Sequence, residues 1–422
     1  MISEASIAPV TSLPDAEEFS ADNRLSSSGE AVLKQTVVLK LNGGLGTSMG
    51  LNRAKSLINV KQGQSFLDII ARQALAQGTR QLFMNSFSTR NDTLAALAAY
   101  PGLSDGTPLD FLQHKVPKIV QSDLSPVTWT ANPELEWCPP GHGDIYIALV
   151  TSGMLRKLLD DGYRYVFVSN ADNLGAVMDT SILGYFVKKN LPFLMEVADR
   201  TEMDSKGGHL ALAREGQLIL RESAQCPGED QAAFENISRH KYFNTNNLWL
   251  NLQSLQHMME DTGNTPDLPM IRNSKTVDPR DDRSTPVYQL ETAMGSAIAV
   301  FKGSAAVRVP RSRFAPVKAS NDLLAVRSDA YLLTSDHRVV LHPDCKQAPL
   351  IQLDNKYFKL IDDMESRFPA GPPSLRNCVS LKVSGDVTFG SNVVIEGRVH
   401  ISSPSGVPLK IADGTRLSGD KA

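Results

Sequence analysis

The sequence predicts an α/β protein: a Rossmann-like domain on a mixed, mainly parallel sheet, followed by a C-terminal left-handed parallel β-helix. Three observations carry this expectation. Short apolar, β-branched runs alternate with stretches of helical periodicity, the pattern of βαβ units whose helices cover both faces of a sheet. The first of these runs opens into a cluster of glycines. Near the C-terminus two apolar series advance in steps of six residues, a spacing foreign to a helix.

In chain order, residues 1–34 are rich in Ser, Ala, Glu and Asp with little periodicity, and are expected to be a flexible N-terminal tail with one short helix. Thr36-Val-Val-Leu-Lys-Leu41 then reads as a buried strand entering a tight loop at Asn42-Gly43-Gly44. A helix is expected around Phe66–Leu75, and further strands at 81–85, 165–169 and 191–197. The main domain spans 35–335, and the remainder, 336–422, forms a linker and the β-helix. In that tail end Leu381, Val387, Val393 and Val399 are spaced by six, as are Val383, Phe389, Ile395 and Ile401, with Gly385, Gly390 and Gly397 between them. Short strands turning a corner every six residues give this pattern, although an antiparallel meander also alternates apolar residues.

Composition narrows the function. A chain of 422 residues exceeds what one core usually serves, so two domains are expected. The net charge of −3 argues against duplex nucleic acid as a partner, while a small polyanion needs only a few local cations. Cys138, Cys226, Cys345 and Cys378 are widely spaced, which supports neither a zinc site nor a disulfide framework. The N-terminus has no basic and apolar leader pattern, and no apolar run reaches the ~18 residues of a membrane span, so a cytoplasmic protein is expected.

The chemistry centres on Leu41-Asn-Gly-Gly-Leu-Gly-Thr-Ser-Met-Gly50. Glycines let backbone N–H groups approach a phosphate where a Cβ would collide. No Gly-Lys-Ser/Thr follows, so this is not a P-loop. Gly44 and Gly46 begin a dinucleotide fingerprint that Met49 breaks. Lys55 follows closely enough to return to cradled phosphates. Asp172, in Asn170-Ala-Asp172, stands at the C-terminal end of an expected strand, where open α/β sheets bind ligands. A carboxylate there is a natural Mg²⁺ ligand; the alternative is a turn-forming residue beside Asn173.

These motifs resemble the UTP–glucose-1-phosphate uridylyltransferases of eukaryotic type. The resemblance rests on the glycine loop with Lys55-Ser-Leu57, and on Met84-Asn-Ser-Phe87, Trp137-Cys-Pro-Pro-Gly-His-Gly-Asp144 and Val168-Ser-Asn-Ala-Asp-Asn-Leu-Gly175. It continues through Phe243-Asn-Thr-Asn-Asn-Leu-Trp249, Gln289-Leu-Glu-Thr-Ala293 and Val309–Lys318. Asn42 favours the glucose enzyme over related pyrophosphorylases, whose loop begins Leu-Ala-Gly-Gly. Leu112 and Ala54 depart from the family, which often has Asn before the Gln113 position and Pro before the lysine.

The resemblance implies a nucleotide-diphospho-sugar transferase fold and a role for each matching residue. Leu41, Asn42, Gly43 and Gly44 with Lys55 hold UTP, Gln113 and Gly141 contact the uridine, and Asp172 binds Mg²⁺. Gly43, Gly44, His142, Asn170, Asn246, Lys206 and Glu222 hold glucose 1-phosphate. Lys55 and Lys318 are the catalytic cations. The implied reaction is in-line attack of the sugar phosphate on the α-phosphorus of UTP, giving UDP-glucose and pyrophosphate without a covalent intermediate. Two alternatives stand: the same architecture acting on another sugar 1-phosphate, and a non-catalytic sensor, which would be expected to lack Lys55, Asp172 or Lys318. With few apolar residues after Gly406 beyond Leu409, Ile411 and Leu417, a monomer or weak homodimer is expected rather than an octamer.

Overall fold

The structure, a computed structural model, describes residues 1–51, 53–104, 106–404 and 406–419. Its central sheet contains β1 (Thr36–Asn42), β2 (Arg80–Asn85), β3 (Asp110–Leu112), β4 (Tyr165–Asn170), β5 (Phe193–Asp199), β6 (Tyr242–Asn251) and β7 (Ala305–Arg308). They lie in the order β3-β2-β1-β4-β6-β5-β7. Within this path β6 alone runs antiparallel to its neighbours, so the sheet is mixed and mainly parallel.

The middle strands are apolar along their length because both faces are covered. Val37, Val38 and Leu39 of β1 and Val166, Phe167 and Val168 of β4 are buried in parallel register. Four helices do much of the covering: α1 (Asn23–Val32), α2 (Phe66–Gln77), α3 (Ile145–Thr151) and α4 (Thr180–Lys188). Helix α2 starts at a reciprocal Ser65–Asp68 capping box and stops at Gly78, whose φ of 62° suits glycine. Ile145, Tyr146 and Leu149 of α3 pack on the face bearing Leu39, Val166 and Val168.

Residues 1–34 depart from the expected flexible tail. Ile7–Pro9 pairs with His209–Ala213 as an edge strand, and α1 packs on α4. The crossing is at glycines: a Cβ on Gly29 would run into the backbone of Thr180, and one on Gly184 into that of Leu25. Leu25, Gly29 and Val32 form a helical stripe that a Ser-rich composition disguises. Glu4 adds an ionic anchor, accepting from Arg221 and Arg239 at 2.6 Å each and lying 3.0 Å from Nε2 of His240.

After the hairpin Tyr331–Leu333/Val339–Leu341, which straddles the expected junction at 335/336, come parallel layers. Strands Leu350–Leu353, Ser374–Ser384, Val394–Ser402 and Arg416–Ser418 stack in that order, and Val387–Phe389 pairs with Leu409–Ile411. Every pairing is parallel, so these strands are not an antiparallel meander. Leu381 lies against Val399 and Val383 against Ile401, three six-residue steps apart. Their interior is continuous with the α2 side of the main sheet: Phe358, Leu381 and Phe389 share one core with Phe66, Ile70 and Val317. Residues 420–422, the last of the expected C-terminal unit, lie outside the described residues.

Candidate active site

The site forms where β1, β2 and β4 end. Asn42, the last residue of β1, is buried and turns its amide into the sheet. Nδ2 donates to Asn85 Oδ1 at 2.9 Å and Thr93 Oγ1 at 2.8 Å, and Asn85 in turn donates to Asp110 at 3.1 Å. The Asn42 side chain is thus committed to the floor of the loop, leaving its backbone to face the cleft. Gly43 leaves room for the Gln113 amide, which a Cβ would strike. The loop closes on itself through Lys55 N–H to Gly44 O at 3.2 Å.

The cleft above it, about 290 Å³, is lined by Leu41, Asn42, Gly43, Gly44, Lys55, Gln113, Gly141, His142, Asn170 and Asp172. Residues from distant parts of the sequence are therefore brought together in one cleft. Gln289 and Glu291 also line it and were given no role from the sequence, although the run Gln289–Ala293 drew notice. Their signal is two-residue alternation on one strand, Pro286–Thr292, which turns both toward one side.

At the cleft, Lys55 Nζ lies 2.6 Å from Asp172 Oδ2, both side chains about one-fifth exposed. Asp172 Oδ1 is buried with no hydrogen-bond partner among the described residues. The loop carrying Asp172 is stapled to the 313–317 segment. Val317 N–H donates to Asp172 O at 3.1 Å, while Asn173 donates to Arg313 O at 3.1 Å and accepts from Ala315 N–H at 3.0 Å. Beneath the staple, Arg313 makes a bidentate pair with fully buried Glu196 at 2.8 and 2.7 Å. Glu196 also accepts from Asn247 and Trp249, at 2.9 Å each, so the buried charge is fully partnered.

No group of three or more His, Cys, Asp or Glu that could hold a metal ion occurs among the described residues. One carboxylate with a spare buried oxygen suits an ion that takes most of its ligands from phosphate and water, as Mg²⁺ does.

Gly141 has φ of 82° and passes so close to Thr292 that a side chain there would collide. His142 Nδ1 accepts from Met294 N–H at 2.9 Å, which leaves the ring proton on Nε2. Burial lowers the His142 pKa to about 4. The imidazole is neutral at pH 7, a donor through Nε2 rather than a proton acceptor.

Four anticipated residues do not line the cleft. Lys318 is exposed, its ammonium 5.7 Å from the centre of the Phe314 ring, and it directly follows Val317. Its charge and that of Lys55 both act on Asp322, whose carboxyl burial nevertheless pushes up. Asn246 takes a left-handed conformation, φ 59°, beside the β5–β6 register shift, and accepts from Asn244 Nδ2 at 2.8 Å. Asn244 touches Gly295, next to the residue that holds His142. Lys206 is exposed on a turn, and the Glu222 carboxyl lies against Gly208, its pKa raised by burial.

A glycine cradle at the C-terminal edge of a mixed, mainly parallel sheet, faced by a lysine–aspartate pair, suits the transfer of a nucleotidyl group, and the enzymes this chain is similar to are nucleotidyltransferases. The family described as UTP–glucose-1-phosphate uridylyltransferase matches residues 2–396, and the chain belongs to that family. The enzyme of this name from Solanum tuberosum is 42% identical over 396 residues, covering 92% of this chain and 81% of the potato protein. The crystal structure of UDP-glucose phosphorylase from Trypanosoma brucei is 49% identical with a TM-score of 0.91, over 99% of this chain and 91% of that one. A variant of Leishmania major UDP-glucose pyrophosphorylase, solved in complex with UDP-glucose, is 46% identical with a TM-score of 0.90, covering 99% and 91%.

Proposed function

We propose that the chain joins UTP to α-D-glucose 1-phosphate, forming UDP-glucose and pyrophosphate by in-line displacement without a covalent enzyme intermediate. The observation that carries this reading is the 2.6 Å Lys55–Asp172 contact at the glycine cradle, with the second Asp172 oxygen buried and free. Backbone N–H groups of Leu41–Gly44 and the Lys55 ammonium hold the triphosphate. Gln113, whose amide both donates and accepts, reads the uracil edge, and Gly141 lies close to the uridine. His142 donates from Nε2 to glucose 1-phosphate beside Asn170, while Asn246, Lys206 and Glu222 stand outside the cleft and join the sugar side only if their segments move inward on binding.

The sugar phosphate is already an anion, so no general base is required. A bond forms between its oxygen and the α-phosphorus as the bond to pyrophosphate breaks, and the electron pair leaves with pyrophosphate. Lys55 and the long-stemmed Lys318 meet the charge that builds on the α-phosphate and leaving group, so catalysis is positioning plus electrostatics. Asp172 would hold Mg²⁺ through its free oxygen; when bound, the ion neutralises charge on the phosphates.

Pyrophosphate release tests the reading across UTP and TTP with glucose, galactose and N-acetylglucosamine 1-phosphates. UTP with glucose 1-phosphate is expected to be fastest, and faster turnover with N-acetylglucosamine 1-phosphate would overturn it. The six-residue phase and the parallel registers also support a left-handed β-helix at the C-terminus, and we further propose that the protein is a monomer or weak dimer. A stable octamer in light scattering at micromolar concentration would reject that assembly.

A further inference from the structure

Lys40 lies two residues before the end of β1 and is only 3% exposed. Its ammonium donates to Ser169 Oγ at 2.7 Å and to the Ala176 carbonyl at 2.8 Å. Ser169 is its direct neighbour across the β1–β4 pairing. Ala176 lies at the far side of the turn that begins at Asn170. Neither partner carries a charge. Desolvation, with the like charge of Arg313 adding to it, pulls the Lys40 pKa down to about 7. A buried ammonium without an ion pair destabilises a fold, and a Met or Leu would fill the same space without that cost. What the lysine adds is two hydrogen bonds, one to each foot of the segment that brings Asn170 and Asp172 to the cleft.

We propose that Lys40 is a positioning residue for Asp172: its ammonium sets the span between Ser169 and Ala176, and so fixes the stance of Asp172, a cleft-lining residue whose second oxygen is buried and partnerless. This role rests on the reading of Asp172 as the Mg²⁺ ligand. It makes Lys40 a support behind the metal ligand rather than a group that touches substrate.

Lys40→Met, Ser169→Ala and Asp172→Asn separate the possibilities. Two quantities are measured for each: the Mg²⁺ concentration giving half-maximal pyrophosphate release, and the calorimetric affinity for UTP with Mg²⁺ or with EDTA. Lys40→Met should raise the Mg²⁺ midpoint about tenfold or more, the scale of losing a group that orients a metal ligand. UTP binding should weaken with Mg²⁺ and hold in EDTA, while the melting temperature stays level or rises. Ser169→Ala should shift the midpoint the same way by less, and it carries the test if Lys40→Met does not fold. A midpoint that moves in Asp172→Asn but not in the folded Lys40→Met, or not in Ser169→Ala when that variant stands in, overturns the role of Lys40. An unmoved midpoint in Asp172→Asn overturns the metal reading and this role together.

Discussion

Lys55 Nζ and Asp172 Oδ2 sit 2.6 Å apart although 117 positions separate them in sequence. The pair neutralises itself, so on the proposed reading an arriving triphosphate would compete with Asp172 for the lysine. Lys55→Ala and Lys318→Ala should each reduce turnover by about 10²–10³, the scale of removing one preorganised contact to developing charge. Neither side chain is in the core, so melting temperatures should barely move. A variant with full pyrophosphate release would remove that lysine from the mechanism.

His142 gives a pH signature in stability rather than rate. Its folded pKa of about 4 lies below the ~6.5 of an unfolded histidine. As pH falls through that window the unfolded chain gains a proton that the folded one does not. The contribution is therefore complete above the unfolded pKa and is lost as pH drops toward 4. Denaturant midpoints of the protein and of His142→Gln, compared at pH 7.5, 6.0 and 5.0, should converge as the pH is lowered. A constant gap would mean that the imidazole titrates normally in the fold.

Glu196→Gln should destabilise strongly. Arg313 would remain buried with only the more distant Asp179, at 3.9 Å, as a counter-charge, and breaking a buried pair costs about 3–5 kcal/mol. Because Arg313 lies under the segment leading to Lys318, pyrophosphate release should fall as well at temperatures where the variant is folded. Equilibrium unfolding in urea gives the first quantity; a loss below about 1 kcal/mol would contradict a desolvated pair.

Gly184→Val tests the N-terminal layer. The added side chain would meet the backbone of Leu25, and overpacking of this kind typically destabilises by about 1–3 kcal/mol. Limited proteolysis should then cut within residues 1–34, which should resist cleavage in the unaltered chain. Equal protease resistance would show that α1 adds nothing to the fold.

Local chemistry made much of this legible in the sequence. The run from Thr36 to Leu41 is apolar because β1 is buried on both faces, and the glycines after it are where a backbone must approach phosphate. The C-terminal repeat is a different case: the six-residue phase of Leu381 and Val399 translates directly into parallel register. The Asn42–Asn85–Asp110 ladder was invisible because it depends on which strands become neighbours. Lys40 received no role from the sequence, since its two partners, Ser169 and Ala176, lie far along the chain. The N-terminal segment was misjudged for a simpler reason: the close approach there is at a glycine, Gly29, within a Ser-rich stretch whose composition ordinarily signals a solvated chain.

The contact between Gly29 and Gly184 ties two stretches of sequence into one inherited unit. A methyl group gained at either position would force α1 and α4 apart. It becomes tolerable only if the other helix yields space through its own replacement or a new crossing angle. The two positions are therefore expected to drift together through descent, each limiting what the other can become. Among relatives, a larger residue at one should be accompanied by change at the other, and a chain lacking the first helix should be free to carry bulk at position 184.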